Sequence, residues 1–119
     1  MTRDEDGYRE EYLGKPAIFS IPSSKLESVE FEIHTFLLKN YGHAWSHTPN
    51  IKGYWLGKPD GDYTKFEISF IGKEKIPNLK KFLAKIARQI GEECIYLLTG
   101  SDSWYIYPLD RRQGANSNS

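Results

Sequence analysis

Apolar positions along the chain recur with two different periods, and their order predicts the fold. A short apolar segment, residues 16–21, predicts a buried strand that Pro22 closes. Next comes Ser24, three residues before Glu27, which is a capping-box signature for the start of a helix. The apolar residues of this helix recur every three or four positions: Leu26, Val29, Ile33, Phe36 and Leu37. Residues 31–37 also alternate as a strand would, but the cap and the acidic first turns favour the helix.

Two strands joined by a turn follow this helix. Residues 43–50 contain Ser, Thr, Pro and Asn and predict a loop. Residues 51–56 and 63–71 predict strands, and Lys58-Pro-Asp-Gly-Asp62 between them is a strong turn signal. In the second strand one alternation is apolar or Thr (Thr64, Phe66, Ile68, Phe70) and the other is more polar (Tyr63, Lys65, Glu67, Ser69). One side of this strand therefore packs on the core, and the other is at least partly in contact with solvent.

A second amphipathic helix is predicted from Ile76 to Ile90, with Gly91 as the residue that ends it. Residues 94–98 are apolar in both alternations, so this strand is expected to be central or covered on both faces. A turn at 99–103 leads into a last strand, Trp104 to Tyr107.

This order of elements predicts the fold class: α+β, a ferredoxin-like βαββαβ plait. Its sheet is antiparallel, its two helices lie on one face, and it has an extra C-terminal strand. We expect one α+β domain over residues 15–108. Residues 1–14 are polar and predicted to be flexible, and residues 109–119 are predicted to be disordered. This fold has many unrelated functions, so it predicts no activity.

Composition changes this picture little. The 119 residues carry a formal net charge of zero, which gives no support to a nucleic-acid, acidic or membrane partner. Cys94 is the one cysteine, so an internal disulfide is excluded and a cytoplasmic location is favoured. No apolar run approaches the roughly 20 residues that a membrane helix needs.

Candidate chemistry is weak, and no metal or cofactor is predicted. His43 and His47 are four apart but lack the third ligand and the glutamate of a zinc helix. Asp60 and Asp62 bracket a turn glycine, where aspartate is common for local hydrogen bonding. Cys94 opens an apolar strand without a catalytic motif, which is typical of a small core residue.

The first functional hypothesis is a small non-enzymatic binding module that acts through the open sheet face and the 43–50 loop. Its partner would be a protein or a second copy of the chain, as a homodimer, and an inhibitory or regulatory role is one form it could take. Exposed Trp and Tyr anchor interfaces, and basic residues can border them. The expected contacts are Trp45, Tyr54, Trp55, Tyr63 and Trp104, with Lys81, Lys85 and Arg88 as a basic rim.

Two alternatives stay open. One is a small-molecule-binding protein or enzyme that uses His43, His47, Asp62 and Lys65 in the groove between the hairpin and the loop. The other is a nucleic-acid binder that uses the basic helix at 73–88, with Tyr54 or Trp55, Tyr105 and Tyr107 as rings for base stacking. It is not favoured, because the third strand lacks the motif of RNA-binding sheets and the net charge is zero.

Overall fold

The computed structural model describes residues 7–41, 44–70 and 72–109. Within these ranges the protein is a mixed α+β structure with an open five-stranded antiparallel sheet and three helices. The elements are β1 (Lys15–Pro22), α1 (Ser23–Leu26), α2 (Glu30–Tyr41), β2 (Ser46–Trp55), β3 (Lys58–Phe70), α3 (Lys75–Ile90), β4 (Ile95–Thr99) and β5 (Asp102–Ile106). Residues 1–6 and 110–119, which hold much of the predicted flexible ends, lie outside the described residues.

The strands lie in the order β2-β3-β1-β4-β5. β1 pairs with β3 along its whole length, from Lys15 opposite Phe70 to Pro22 opposite Tyr63. Along its other edge β1 pairs with β4, and β4 also pairs with β5. β2 and β5 are therefore the two edges of the sheet, and β4 is an interior strand, as its apolar sequence predicted.

The core lies on one face of the sheet, beneath α2 and α3. Alternate residues of the strands point into it, among them Phe19 and Phe66, whose rings stack with centroids 5.1 Å apart. The two long helices meet through Phe36 and Phe82, stacked at 3.8 Å. The buried residues of the helices continue this layer: Ile33, Leu37 and Tyr41 from α2, and Leu79, Phe82, Leu83, Ile86, Ala87 and Ile90 from α3.

The helical prediction for residues 31–37 is confirmed, but the start of that helix was predicted wrongly. The capping box at Ser24 does not form, because Pro22 stands at the N-cap position and no side chain caps the helix. Ser23 instead hydrogen-bonds Thr64 of β3 at 2.9 Å, which ties this turn to the sheet. The helix is then interrupted at 27–29 and resumes as α2 at Glu30.

The turn of the β2–β3 hairpin also lies elsewhere than predicted. It is formed by Leu56 and Gly57, with φ values of 52° and 80°, and not by residues 58–62. In a two-residue hairpin loop, positive φ at both central positions gives a backbone twist that matches the right-handed twist of the flanking strands. The Pro-Asp-Gly segment becomes the start of β3, and a register shift between Gly53 and Tyr54 accommodates it.

The predicted loop at 43–50 is largely strand, because β2 begins at Ser46. Pro49 is tolerated there since β2 is an edge strand, where a missing backbone donor costs little. A second register shift, between Thr48 and Ile51, marks this irregular part of the ladder.

Helix α3 matches its prediction closely at both ends. It ends at Ile90, and Gly91 follows with a φ of 70°, in the left-handed conformation that favours glycine. The backbone N–H groups after the helix bond the carbonyls of Ala87 and Arg88. Within the described ranges, none of the helices combines the length and the apolar character needed to cross a membrane.

Candidate functional site

An open cavity of about 590 Å³ lies against the sheet face that the helices leave uncovered. Its floor includes Ser20 and Tyr96, which alternate along their strands with the core residues Phe19 and Leu97. Ligand cavities in proteins commonly have volumes of about 300–1,000 Å³. The cavity is therefore large enough for a nucleoside-sized molecule.

The β2–β3 hairpin forms one wall of this cavity by bending over the sheet. Trp55, at the end of β2, has its ring centroid 6.2 Å from that of Tyr105 on β5. These two strands are opposite edges of the sheet, and four strand spacings in a flat sheet would separate them by about 19 Å. The two register shifts of the hairpin and the positive φ of Asn50 (65°) lie along β2 ahead of this tip, and irregularities of this kind bend a strand.

Aromatic and acidic side chains dominate the lining. Six rings face the cavity: Tyr54, Trp55, Tyr63, Tyr96, Tyr105 and Tyr107. Three carboxylates join them, Asp60, Glu92 and Glu93, and no Lys, Arg or His is found in the lining among the described residues. Glu92 is paired with Lys25 at 2.6 Å, so Asp60 and Glu93 carry most of the uncompensated negative charge.

Tyr63 is held in place by Asp60. Its hydroxyl donates to Asp60 Oδ2 at 2.5 Å. Burial raises the pKa of Tyr63 well above its ordinary value, and the hydrogen bond and negative charge of Asp60 raise this pKa further. The hydroxyl is therefore a neutral donor at physiological pH and does not act as a base.

Cys94 lies half-buried in the lining and not in the core, so its predicted placement was wrong. Burial raises the pKa of its thiol, and the charges of Glu93 and Glu92 act in the same direction against a hydrogen bond with Tyr107. The thiol is protonated at neutral pH, which argues against a nucleophilic role.

The residues predicted as contacts separate into two groups. Tyr54, Trp55 and Tyr63 line the cavity. Trp45 and Trp104 lie on the helix side: the indole of Trp45 donates to His34 Nδ1 at 2.9 Å, and Trp104 lies beneath Lys80 Nζ, 3.6 Å from the ring centroid.

The predicted basic rim lies away from the cavity, because Lys81, Lys85 and Arg88 belong to α3 on the other face of the sheet. Lys85 pairs with Glu32 of α2 at 3.1 Å, and Arg88 donates to the carbonyl of Leu109. These contacts are typical of an exposed helix face.

The histidine and aspartate residues of the enzyme alternative are not brought together. His43 lies outside the described residues. His47 packs edge-on against Phe66, with ring centroids 5.4 Å apart, on the helix side of the sheet. Asp62 pairs with Lys52 at 3.1 Å. Among the described residues, one group could hold a metal ion, Glu30 with His34 and His47, and it lies outside the cavity.

Sequence reasoning missed several of the lining residues. Tyr105 and Tyr107 were predicted only as rings for base stacking, and Tyr96, Glu92 and Glu93 were not predicted as site residues. The alternation of β4 could have placed Tyr96 on the sheet face opposite to that of the core residue Leu97. The two glutamates follow the end of α3, and no pattern in the sequence shows that this connection borders a cavity.

No protein-family model matches the chain, and no curated protein sequence does either. A solved structure with a similar fold is a phage SAM lyase in complex with S-methyl-5′-thioadenosine. It superposes with a TM-score of 0.55 at 10% sequence identity, over 84% of this chain and 94% of that one. At this identity the likeness shows a shared fold.

This comparison overturns the first functional hypothesis. A non-enzymatic module with a protein partner or a second copy was expected, yet the solved protein of similar fold is an enzyme with a small-molecule ligand. The alternative of a nucleic-acid partner, which was not favoured, is corrected by the same finding. The physical reason is visible in this chain: the sheet face that was expected to be open is partly enclosed by the bent hairpin.

Proposed function

We propose that the protein is a small-molecule enzyme whose ligand is an adenosyl sulfonium, S-adenosylmethionine, bound in the cavity on the sheet. The composition of the lining carries this proposal: six aromatic rings and three carboxylates, with no basic side chain among the described lining residues. Aromatic faces attract cations and stack on planar bases. A positively charged sulfonium attached to adenosine offers both features to one site.

The same lining argues against anionic ligands. Nucleotides and other phosphate compounds are held by Lys, Arg or backbone N–H groups at helix N-termini. The described lining contains no Lys or Arg, and its carboxylates would repel a phosphate. A cationic nucleoside is therefore the better match in both charge and shape.

The proposed reaction is a lyase reaction, in keeping with the solved structure of similar fold. S-Methyl-5′-thioadenosine is the part of S-adenosylmethionine that remains when the bond from sulfur to the amino-acid chain breaks. Both electrons of that bond pass to sulfur, which becomes a neutral thioether. Because a lyase adds no water, the carbon that leaves sulfur must form its new bond within the substrate. Either the carboxylate oxygen of the amino-acid chain bonds to it, or a proton is lost from the neighbouring carbon and a double bond forms.

The residues suited to each task follow from their charge. Tyr54, Trp55 and Tyr63 are proposed to bind the base and the sulfonium. If a proton is removed, Asp60 and Glu93 are the bases available, since the pKa values of Tyr63 and Cys94 are raised and both groups stay protonated. Positive charge on sulfur is lost in the reaction, so the acidic lining holds the substrate more tightly than the product.

The fold is proposed to be a ferredoxin-like βαββαβ plait with an added edge strand. Two observations support this: the order of the elements, and the position of β1 between β3 and β4 with β2 and β5 outside them. A cytoplasmic location is proposed on the lone cysteine, Cys94.

Calorimetric titration with three ligands tests the proposal: S-adenosylmethionine, S-adenosylhomocysteine and S-methyl-5′-thioadenosine. We expect S-adenosylmethionine to bind most tightly, because it alone carries the sulfonium charge. Incubation with S-adenosylmethionine should also release S-methyl-5′-thioadenosine, detected by chromatography. Absence of binding by all three ligands at millimolar concentration would overturn the proposal.

A matched pair of variants locates the site. Glu93→Gln removes a carboxylate from the lining and should weaken S-adenosylmethionine binding about tenfold, while leaving the two neutral ligands nearly unchanged. Glu74→Gln removes a carboxylate next to α3, outside the lining, and should leave all three affinities unchanged. Equal effects of the two variants would contradict the assignment.

A further inference from the structure

We infer that Glu30, His34 and His47 form a binding site for a divalent transition-metal ion, zinc in the first instance, on the helix side of the sheet. One ligand atom from each residue lies within 4.8 Å of those of the other two. Two imidazoles and one carboxylate are a donor set that zinc commonly takes, with water in a fourth position. This site is separate from the cavity and independent of the function proposed above.

Two elements bring the three side chains together. Glu30 and His34 are four residues apart on α2, so they share one helix face, with Glu30 Oε2 3.6 Å from His34 Nε2. His47 lies opposite Phe66 in the β2–β3 ladder and therefore points to the helix side. Its ring centroid is 5.7 Å from that of His34.

The buried ring of Phe66 orients both imidazoles. It meets the rings of His34 and His47 edge-on, at centroid distances of 5.7 and 5.4 Å. Because this ring restricts the two imidazoles before a metal ion binds, they lose less rotamer freedom on binding. The cluster is partly exposed, with His47 the most accessible member, so an ion can reach it from solvent.

A hydrogen bond from Trp45 competes with the metal. Its indole N–H can only donate, and it donates to His34 Nδ1 at 2.9 Å. Neutral His34 therefore carries its proton on Nε2, beside Glu30. A metal ion needs a bare nitrogen, so it must displace Trp45 from Nδ1 or move the proton there, and in both cases the Trp45 bond is lost.

Metal binding would join α2 to the edge strand β2. Because the ligands come from both elements, an ion that binds the folded state alone stabilises it by mass action. We therefore expect zinc to raise the melting temperature and to change the fluorescence of Trp45, whose indole loses its partner.

The test is calorimetric titration of zinc into the metal-free full chain, made without a histidine tag. We expect one ion per chain, with affinity reduced at least tenfold in His47→Gln and in Glu30→Gln. Asp62→Asn, which alters an exposed carboxylate outside the cluster, should not change it. Since His47 is exposed, its substitution should leave the circular dichroism spectrum unchanged.

Trp45→Phe gives the sharper result, because it removes the competing donor and keeps an aromatic ring. A simple structural role for Trp45 predicts weaker zinc binding, whereas the competition predicts affinity about fivefold tighter. The inference is overturned if zinc does not bind the wild-type chain at millimolar concentration, or if it binds His47→Gln as well as wild type. S-Adenosylmethionine binding should be the same in His47→Gln as in wild type, so failure of either proposal can be distinguished.

Discussion

The ring of Tyr63 lies directly against Gly53, its diagonal neighbour across the β2–β3 ladder. A Cβ atom built on Gly53 would lie 2.8 Å from Tyr63 Cδ1, closer than side-chain atoms approach in proteins. The missing side chain lets the tyrosine lie over β2 and direct its hydroxyl to Asp60. One glycine therefore sets the shape of the cavity wall.

Gly53→Ala is expected to lower the free energy of unfolding by about 1–3 kcal/mol, the usual cost of forcing an extra methyl group into a packed site. Urea unfolding measures this effect. The same substitution made in a Tyr63→Ala background should cost much less, because the ring that clashes is absent. An equal cost in both backgrounds would show that the contact is unimportant.

The contact between Trp55 and Tyr105 leads to a prediction about ligand binding. Trp55→Ala should weaken S-adenosylmethionine binding about tenfold, since it removes a ring that can stack on a base or face a cation. Trp104→Ala loses the same side chain on the helix side and serves as the control. Calorimetry on both variants checks the prediction, and a larger loss for Trp104 would contradict it.

The free-energy cost of a large-to-small substitution should differ between the core and the exposed surface of the helices. Phe66 is fully buried and stacks on Phe19, so Phe66→Ala should reduce the free energy of unfolding by about 3–5 kcal/mol. Phe31 on α2 is 83% exposed, and Phe31→Ala should change the free energy of unfolding by less than about 0.5 kcal/mol. Urea denaturation of both variants decides, and similar costs would place the core elsewhere.

The sequence predicted those elements whose apolar residues recur at a regular spacing. Phe66, Ile68 and Phe70 alternate strictly with more polar residues, and all three are buried as expected. The stripe of α3 and its glycine terminator were equally clear. In each case burial of one face imposes a period on the sequence, so the period can be read without coordinates.

The position of the hairpin turn and the bend of the hairpin could not be predicted in the same way. Residues 58–62 carry a stronger turn signal than Leu56 and Gly57, yet the chain turns at the latter pair. Cross-strand pairing of β3 with β2, from Lys58 to Glu67, outweighed the local preference of Pro59 and Gly61. The bend that brings Trp55 to β5 depends on contacts between residues far apart in sequence, and no local pattern encodes it.

The fold also predicts a loss of stability in alkaline solution. Burial raises the pKa of Tyr41 to about 12, and its hydroxyl donates to the carbonyl of Lys75 at 2.7 Å. In the unfolded chain a tyrosine ionises near pH 10. Above about pH 10 the unfolded state therefore loses a proton that the folded state keeps, so the stabilising contribution is complete below that pH and is lost as the pH rises towards about 12.

The full loss from Tyr41 is about 3 kcal/mol, since its pKa in the folded state lies about two units above that in the unfolded chain. Tyr63, whose pKa is also raised, acts in the same direction. Urea unfolding at about pH 8 and pH 11 should show a smaller difference in Tyr41→Phe than in wild type, although the variant is less stable at pH 8 by about 1 kcal/mol for its missing hydrogen bond. Tyr8→Phe, at a position that is 75% exposed, is the control and should follow wild type. If Tyr41→Phe lost as much stability between the two pH values as wild type, the tyrosine would not be the group responsible.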